Sequence, residues 1–574
     1  MRLPFICILF CFVTAQGQGL KVDGKRLVDA AGNEIILRGI GLGGWMLQEP
    51  YMLKLSGIAA NQTEIRGKIQ ELIGNENADE FYRRWLVNHC QKADIDSLHK
   101  WGFNSIRLPM HYNLFTLPVE QEPVKDQNTW LKKGFALTDS LLEWCKQNKI
   151  YLILDLHAAP GGQGKDIPIA DYDPQKPSLW QSEANRKKTI TLWQKLAEHY
   201  AGEEWIGGYD LLNEPNWGFT DSTDKNGCAE KQNKELRNFL IELTSAIRQI
   251  DKQHIIFIEG NCWGNNYDGI FPLWDNNMVV SFHKYWNYNN QHSIQKFIEI
   301  RKQYNVPIWL GESGENSNTW FTNAIALVEQ NRIGWAWWPL KKMGLNNPLQ
   351  VKTNEQYEKI LKFWRGEGTR PSPEEAFAGL MQLAEDAKIE NNIYKKDVTD
   401  AMFRQVLSSE TLPFAQKKIG AATKIFAADY DLGRSGFAYY DNDTANYRVS
   451  TNKNIIWNKG RLYRNDGVDI YQCNDHVSNG YCVEAEASEW LQYTINVEQS
   501  GSYSMGIRYM VRDVAATIKM LLDGKAHQIV HLLPDTGWKS IELKPLRLTH
   551  GEHKLTVFDV NGTIQLNYLQ FQKQ

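Results

Sequence analysis

Glu214, closing the run GGYDLLNE, and Glu312, closing VPIWLGE, are the residues from which chemistry can start. Two carboxyl groups facing each other across a cleft can break a glycosidic bond. One protonates the leaving oxygen and the other attacks the anomeric carbon, which needs the pair roughly 5–5.5 Å apart. Alone, either glutamate reads as a solvated carboxylate. Their company argues otherwise. Arg107 ends NSIR, His157 ends LILDLH, Asn213 precedes Glu214, His283 and Tyr285 end VVSFHKY, and Trp338 ends GWAWW. A guanidinium, two imidazoles, an amide, a phenol and an indole, all at the ends of apolar runs, are hard to obtain from packing alone.

Those runs must be delivered to one place. Within residues 20–350, EIILRGI, NSIRLP, YLILDL, GGYDLL, HIIFIEG, MVVSFH, PIWLGE and GWAWWP alternate with segments of helical period. Eight such units predict an α/β fold, a closed (β/α)8 TIM barrel, with its chemistry at the carboxyl ends of the strands. No Gly-x-Gly-x-x-Gly loop follows a run, which argues against a doubly wound sheet. Residues 351–419 predict a helical connector. There Ser372 and Glu375 form a capping box around Pro373, and Phe377, Leu380, Met381 and Ala384 share one helical face. From 420 to 574 the period drops to two, as in Leu491, Tyr493, Ile495 and Val497, which predicts a β-sandwich.

Composition narrows the partners. The chain has 574 residues, more than one core usually organises, and its 64 Lys plus Arg against 67 Asp plus Glu leave a net charge of −3. That balance excludes the basic footprint of a nucleic-acid binder. The 21 Trp, 24 Tyr and 22 Phe supply flat amphipathic rings of the kind sugars pack against. Residues 1–19, MRLPFICILFCFVTAQGQG, read as a signal peptide, so a secreted or periplasmic protein is expected, and no later run is long enough to span a membrane. Cys473 and Cys482 flank one loop and could bridge locally in an oxidising compartment, and the sequence leaves the pairing open. No Cys shows zinc spacing and the strand-end histidines predict no ligand cluster, so no metal or other cofactor is expected. A monomer is expected.

In the order VDGKRLVDAAGNEIILRGIGLGGW, IRLP, LDLHAAPGGQ, NEP, HKY, GES and GWAWW, residues 20–350 resemble glycoside hydrolase family 5. The resemblance implies that Glu214 is the general acid and base and Glu312 the nucleophile. It implies that Arg107 and Tyr285 bond Glu312, Asn213 bonds the sugar 2-hydroxyl, His157 and His283 line the cleft, and Trp338 is its floor. Gln163 is a candidate contact to sugar hydroxyls. Trp45 and Trp217 are subsite or core residues, and Glu259 is assigned no catalytic role. The implied activity is hydrolysis of a polysaccharide or oligosaccharide, by a retaining β-glycosidase. The HAAPGGQ loop is similar to the branch acting on β-1,3-glucans; β-1,4-glucan, mannan and xylan are the alternatives. A non-catalytic carbohydrate-binding protein on a hydrolase scaffold is the reading of another class.

The segments YDLGRSGFAYYDND, ASEWLQYTINVEQSGSYSMGIRY, LLPDTGWKS, LTHGEHKLTVF and LNYLQF resemble carbohydrate-binding module family 6 and its relatives. That implies a sugar clamp with Trp538 and Tyr481 as rings and Asn567 beneath, while Trp490 reads as core. Such modules carry Glu-Ala-Glu calcium ligands where this chain has Phe426, Ala427 and Ala428, so calcium is not expected there.

Overall fold

The computed structural model describes residues 19–574 apart from Asp513. Residues 1–18, which hold nearly all of the predicted signal peptide, lie outside the described residues. Eight parallel strands close a barrel: β1 (Arg38–Gly41), β2 (Ser105–His111), β3 (Tyr151–Ala158), β4 (Ile206–Asp210), β5 (Ile256–Glu259), β6 (Met278–Lys284), β7 (Ile308–Gly314) and β8 (Gly334–Trp338). β8 returns to β1 by pairing Trp335 with Arg38 and Trp337 with Ile40. Each of the eight predicted runs supplies one strand.

Strand alternation sets a gradient inside the barrel. Along β3, Ile153, Asp155 and His157 point the same way. Ile153 joins Leu20, Leu27, Phe257, Val279 and Trp309 in an apolar plug at the amino-terminal end, beside the hairpin Lys21–Asp23/Arg26–Val28. One and two steps further on the same face are Asp155 and His157, so polarity rises toward the carboxyl mouth. The outer face is apolar because helices cover it. Helix Glu183–Tyr200, capped by the Ser182 hydroxyl accepting from the Asn185 N–H, buries Leu192, Trp193 and Leu196. Such strands, buried on both faces, read as continuous apolar runs.

The connector is part of the barrel wall. Helix Pro373–Asp386 has the expected capping box, and its Leu380, Leu383 and Ala384 pack with Tyr357, Trp85, Phe81 and Ile69 into one apolar cluster. After it, twelve strands form two six-stranded sheets. These are β9 (Lys418–Ile419), β10 (Ala422–Phe426), β11 (Tyr439–Tyr440), β12 (Asp469–Gln472), β13 (Tyr481–Glu486), β14 (Trp490–Val497), β15 (Gly501–Met510), β16 (Ala516–Leu522), β17 (Lys525–Leu532), β18 (Lys539–Leu548), β19 (Gly551–Asn561) and β20 (Thr563–Lys573). One sheet runs β9-β14-β19-β16-β17 with β11 beside β14, and the other runs β12-β13-β20-β15-β18 with β10 beside β20. Tyr493, Ile495, Ile507, Leu555 and Leu569 fill the space between them.

The local bridge between Cys473 and Cys482 is not formed. Cys473 and Cys482 are buried free thiols, and the disulfide joins Cys228 to Cys262. Those two lie 34 residues apart in the loops after β4 and β5, which meet only once the barrel closes. Among the described residues no helix is long and apolar enough to cross a membrane.

Candidate active site

At the mouth, a cavity of about 510 Å³ is lined by Glu214, Glu312, His157, His283, Tyr285 and Trp338, together with Glu49, Tyr51, Trp263, Lys284, Trp286 and Glu315. Its floor depends on glycine. A Cβ on Gly41 would lie 2.4 Å from the Trp338 ring and one on Gly43 2.7 Å, so the GLGG turn leaves the space that the indole fills. Trp338 then stacks on His157 at 5.0 Å and donates to the Tyr51 hydroxyl at 3.1 Å.

Arg107 organises the layer beneath and is 1% exposed. It donates to Glu312 Oε2 at 2.8 Å, Asn213 Oδ1 at 2.8 Å, Asp210 Oδ2 at 2.9 Å and Glu259 Oε1 at 2.9 Å. The Tyr285 hydroxyl donates to the other oxygen of Glu312 at 2.8 Å. Glu312 is thus held by two donors, as expected. One guanidinium does not balance all these acids. Burial pushes the carboxyls of Asp155 and Asp210 well above their ordinary range, against the pull of Arg107.

Glu214 is held differently. It is 5% exposed, its backbone lies in the left-handed region at φ 45°, and its N–H donates to Glu259 Oε2 at 2.7 Å. A non-glycine residue is strained there and persists only where its surroundings fix it. Its Oε1 is 2.6 Å from His283 Nδ1, and His283 Nε2 is 3.1 Å from Glu259 Oε1. Burial raises the Glu214 carboxyl to about 7, although the His283 contact pulls it down. Burial opposes a charge on His283 too, yet Glu259, Glu312 and Glu214 outweigh it and hold the imidazole well above its ordinary value. Conversely, burial lowers His157 to about 3, so that ring is neutral, with Nδ1 2.7 Å from Asp155.

Glu214, His283 and Glu312 bring ligand-capable atoms within 4.8 Å of one another, a cluster the sequence did not predict. A protonated imidazole has no free lone pair, so this donor set suits a shared proton better than a metal. It also brings a Glu214 oxygen within 4.8 Å of a Glu312 oxygen, so the two carboxyls face one cleft.

Other sequence expectations move. Asn213 is fully buried, bonded to Arg107 and 3.2 Å from His157 Nε2, so it lies under the cavity wall. Gln163 is also fully buried, donating to the His157 and Asn213 carbonyls, and ties two loops together where a hydroxyl contact was expected. Trp45 is core, its indole donating to the Leu86 carbonyl. Trp217 is buried edge-on to Tyr172 and under Lys165. Glu259, assigned no part by sequence, is the hinge of the layer, touching Arg107, His283 and the Glu214 backbone.

In the second domain the three residues of the expected clamp sit in different surroundings. Register pairs Val483 with Leu566, both in the core, so Tyr481 shares their inner face and stacks on Tyr463 at 4.5 Å. Asn567, one residue on, is buried toward the other side and donates to Asp475 and to the Val477 carbonyl, each at 2.8 Å. Trp538 is half-buried just ahead of β18. Calcium at the usual position does not fit either. Ala427 and Ala428 offer no oxygen side chains, and just beyond them the buried Arg464 donates to the carbonyls of Tyr430 and Asp431 and to Asp466.

A closed barrel with paired glutamates at its carboxyl mouth defines a glycoside hydrolase. Residues 59–344 match the family model Cellulase (glycosyl hydrolase family 5), and the barrel domain belongs to that family. Residues 464–571 match the family 35 carbohydrate binding module, which corrects the family 6 resemblance. Both readings describe a β-sandwich, whose period-two pattern does not separate them. The chain is 26% identical over 380 residues to a beta-xylosidase of Phanerodontia chrysosporium, covering 60% of this chain and 75% of the relative. It is 23% identical over 367 residues to endoglucanase C of Acetivibrio thermocellus, covering 53% and 91%. It is 28% identical over 264 residues to a glucan 1,3-beta-glucosidase of Candida oleophila, covering 44% and 56%. Among solved structures, a rutinosidase from Aspergillus niger is 17% identical with a TM-score of 0.43, covering 54% of this chain and 91% of that one.

Proposed function

We propose that the protein is an exported, retaining β-glucan hydrolase in which Glu214 serves as acid and base and Glu312 as nucleophile. The observation that carries this is the unequal treatment of two adjacent carboxyls. Glu214 is buried and raised to about 7, fit to hold a proton at neutral pH, while Glu312 accepts from Arg107 and Tyr285, which fix its rotamer toward the anomeric carbon. Glu312 attacks the anomeric carbon and forms an ester to it as the glycosidic C–O bond breaks and Glu214 protonates the leaving oxygen. Glu214 then takes a proton from a water whose oxygen attacks the same carbon and displaces Glu312, which releases the sugar with its configuration retained.

The HAAPGGQ loop and the relative named a glucan 1,3-beta-glucosidase support β-1,3-glucan as the substrate. The relative named a beta-xylosidase supports xylosides as the second reading. The test is reducing-sugar release from laminarin, lichenan, carboxymethylcellulose, mannan and xylan, with Glu312→Ala as the blank. Laminarin activity lost in that variant is expected. Turnover retained by Glu312→Ala overturns the assignment of the nucleophile, and preference for xylan overturns the substrate.

A further inference from the structure

The second domain reaches into the mouth of the barrel. Its segment 444–461 lies on the loops after β6 and β7. Asn316 donates to the Asn446 carbonyl at 2.8 Å and accepts the Asn446 N–H at 2.9 Å. The Val449 N–H donates to the Trp286 carbonyl at 3.0 Å, and the Tyr288 N–H to the Ser450 hydroxyl at 2.9 Å. Val449 thereby becomes a wall residue of the cavity that holds Glu214 and Glu312.

Beside that cavity is a second one of about 320 Å³, and the two share Tyr51, Trp286 and Glu315. Its far wall is Arg448, Trp457 and Arg461. The Trp457 ring is half-buried, its indole tied to Asn465 at 3.2 Å, and the Arg461 guanidinium stands 5.8 Å above it. Arg448 and Arg461 are exposed, while Lys342 of the same groove is paired with Glu315 at 3.3 Å. A half-buried aromatic ring beside two exposed guanidinium groups matches a sugar ring, with its apolar face and its rim of hydroxyls.

We propose that this groove is a distal saccharide subsite, built by the second domain, which holds further sugar units of the glycan whose scissile bond lies between Glu214 and Glu312. The shared wall of the two cavities sets the occupant: a chain leaving the catalytic cleft past Tyr51 and Trp286 meets Trp457 next. The proposal rests on the hydrolase reading for the occupant and on the groove for the site.

The test compares the full chain with Trp457→Ala and Trp457→Phe on 4-nitrophenyl β-glucoside, which fills only the catalytic cleft, and on laminaripentaose. For Trp457→Ala the expected result is a KM on laminaripentaose raised about tenfold, near 1.4 kcal/mol, with the aryl glucoside kinetics unchanged. Trp457→Phe is expected to restore most of the loss. An unchanged ratio of long to short substrate in Trp457→Ala overturns the subsite. Should neither substrate be turned over, the hydrolase reading on β-glucan falls, and laminaripentaose titrated calorimetrically into Glu312→Ala with and without Trp457→Ala decides the groove. Equal affinities overturn it, and a roughly tenfold loss upholds it.

Discussion

Glu214 and Glu259 are both buried glutamates at strand ends, 45 positions apart, joined by a hydrogen bond from the backbone of one to the side chain of the other. Their proton affinities diverge. Burial lifts Glu214 to about 7, whereas for Glu259 the charges of His283 and Arg107 overcome burial and lower it. A general acid works only while protonated, so activity is present below the folded-state value and lost as pH rises through it. The expected kcat/KM profile on laminarin therefore falls on its alkaline side near pH 7; a flat profile to pH 9 contradicts Glu214 as the acid. Glu259→Gln removes the strongest support for the charge on His283. The His283 contact lowers Glu214 more than Glu259 repels it, so the alkaline limb is expected to move to higher pH. With it, kcat is expected to fall on the order of tenfold, about 1.4 kcal/mol, with little change in KM. A stability loss without a moved limb would mean that Glu259 only supports the fold. The sequence showed Arg107, Glu214, Tyr285 and Glu312 because each ends an apolar run. It hid the role of Glu259, since that role depends on partners 45, 24 and 152 positions away that meet only in the closed barrel.

At the scale of elements, continuous apolar runs carried the barrel and period-two alternation carried the sandwich, and that alternation also carries a consequence that composition conceals. In the second domain β11, β14 and β19 pair Tyr440 with Trp490 and Trp490 with Phe558. One step along, Asp441, Glu489 and Asp559 fall in a row on the inner face, exposed by only 4%, 6% and 2%. Glu489 accepts two backbone N–H groups, whereas both Asp559 oxygens are buried without a partner. Burial, then repulsion from Glu489, lifts Asp441 to about 8 and Asp559 to about 7. These values lie above those of the unfolded chain, so the folded state binds the extra protons. Stability is full below the unfolded values near 4 and is lost as pH rises toward 8. In chelating buffer the melting midpoint is expected to drop between pH 5 and 8. Asp559→Asn is expected to raise the midpoint at pH 8 by about 2–4 °C, the effect of roughly 1 kcal/mol. A midpoint lowered by that substitution would show that the charge on Asp559 is compensated. The disulfide between Cys228 and Cys262 was invisible at this scale, because sequence proximity favoured Cys473 and Cys482 while geometry selects loops that neighbouring strands bring together.

For the whole molecule, the question is whether two lobes that read as separate in sequence behave as one. Loosely joined domains meet through modest, wet interfaces and move by default. Here the junction is buried and polar. Asn318, which opens the helix after β7, donates to Asp397 at 2.8 Å and to Asp466 at 2.9 Å, and the Asn465 N–H donates to Asp397 at 2.8 Å. Arg464 closes the set on Asp466 at 2.8 Å, and Asn318, Asp397, Arg464, Asn465 and Asp466 are all at most 2% exposed. Barrel, connector and sandwich each supply members, so separating the lobes breaks all of these hydrogen bonds at once, each worth about 1.5–3 kcal/mol where a charged group takes part. The expected calorimetric trace of the full chain is a single cooperative transition. Asn318→Ala keeps both carboxylates but removes their shared donor, and is expected to lower stability by about 2–4 kcal/mol and to split the trace into two transitions. Two transitions already present in the parent would mean that the lobes melt independently. In that case the segment 444–461 would leave the barrel mouth without unfolding the catalytic domain, and the cleft would lose its Val449 wall while Glu214 and Glu312 stayed in place.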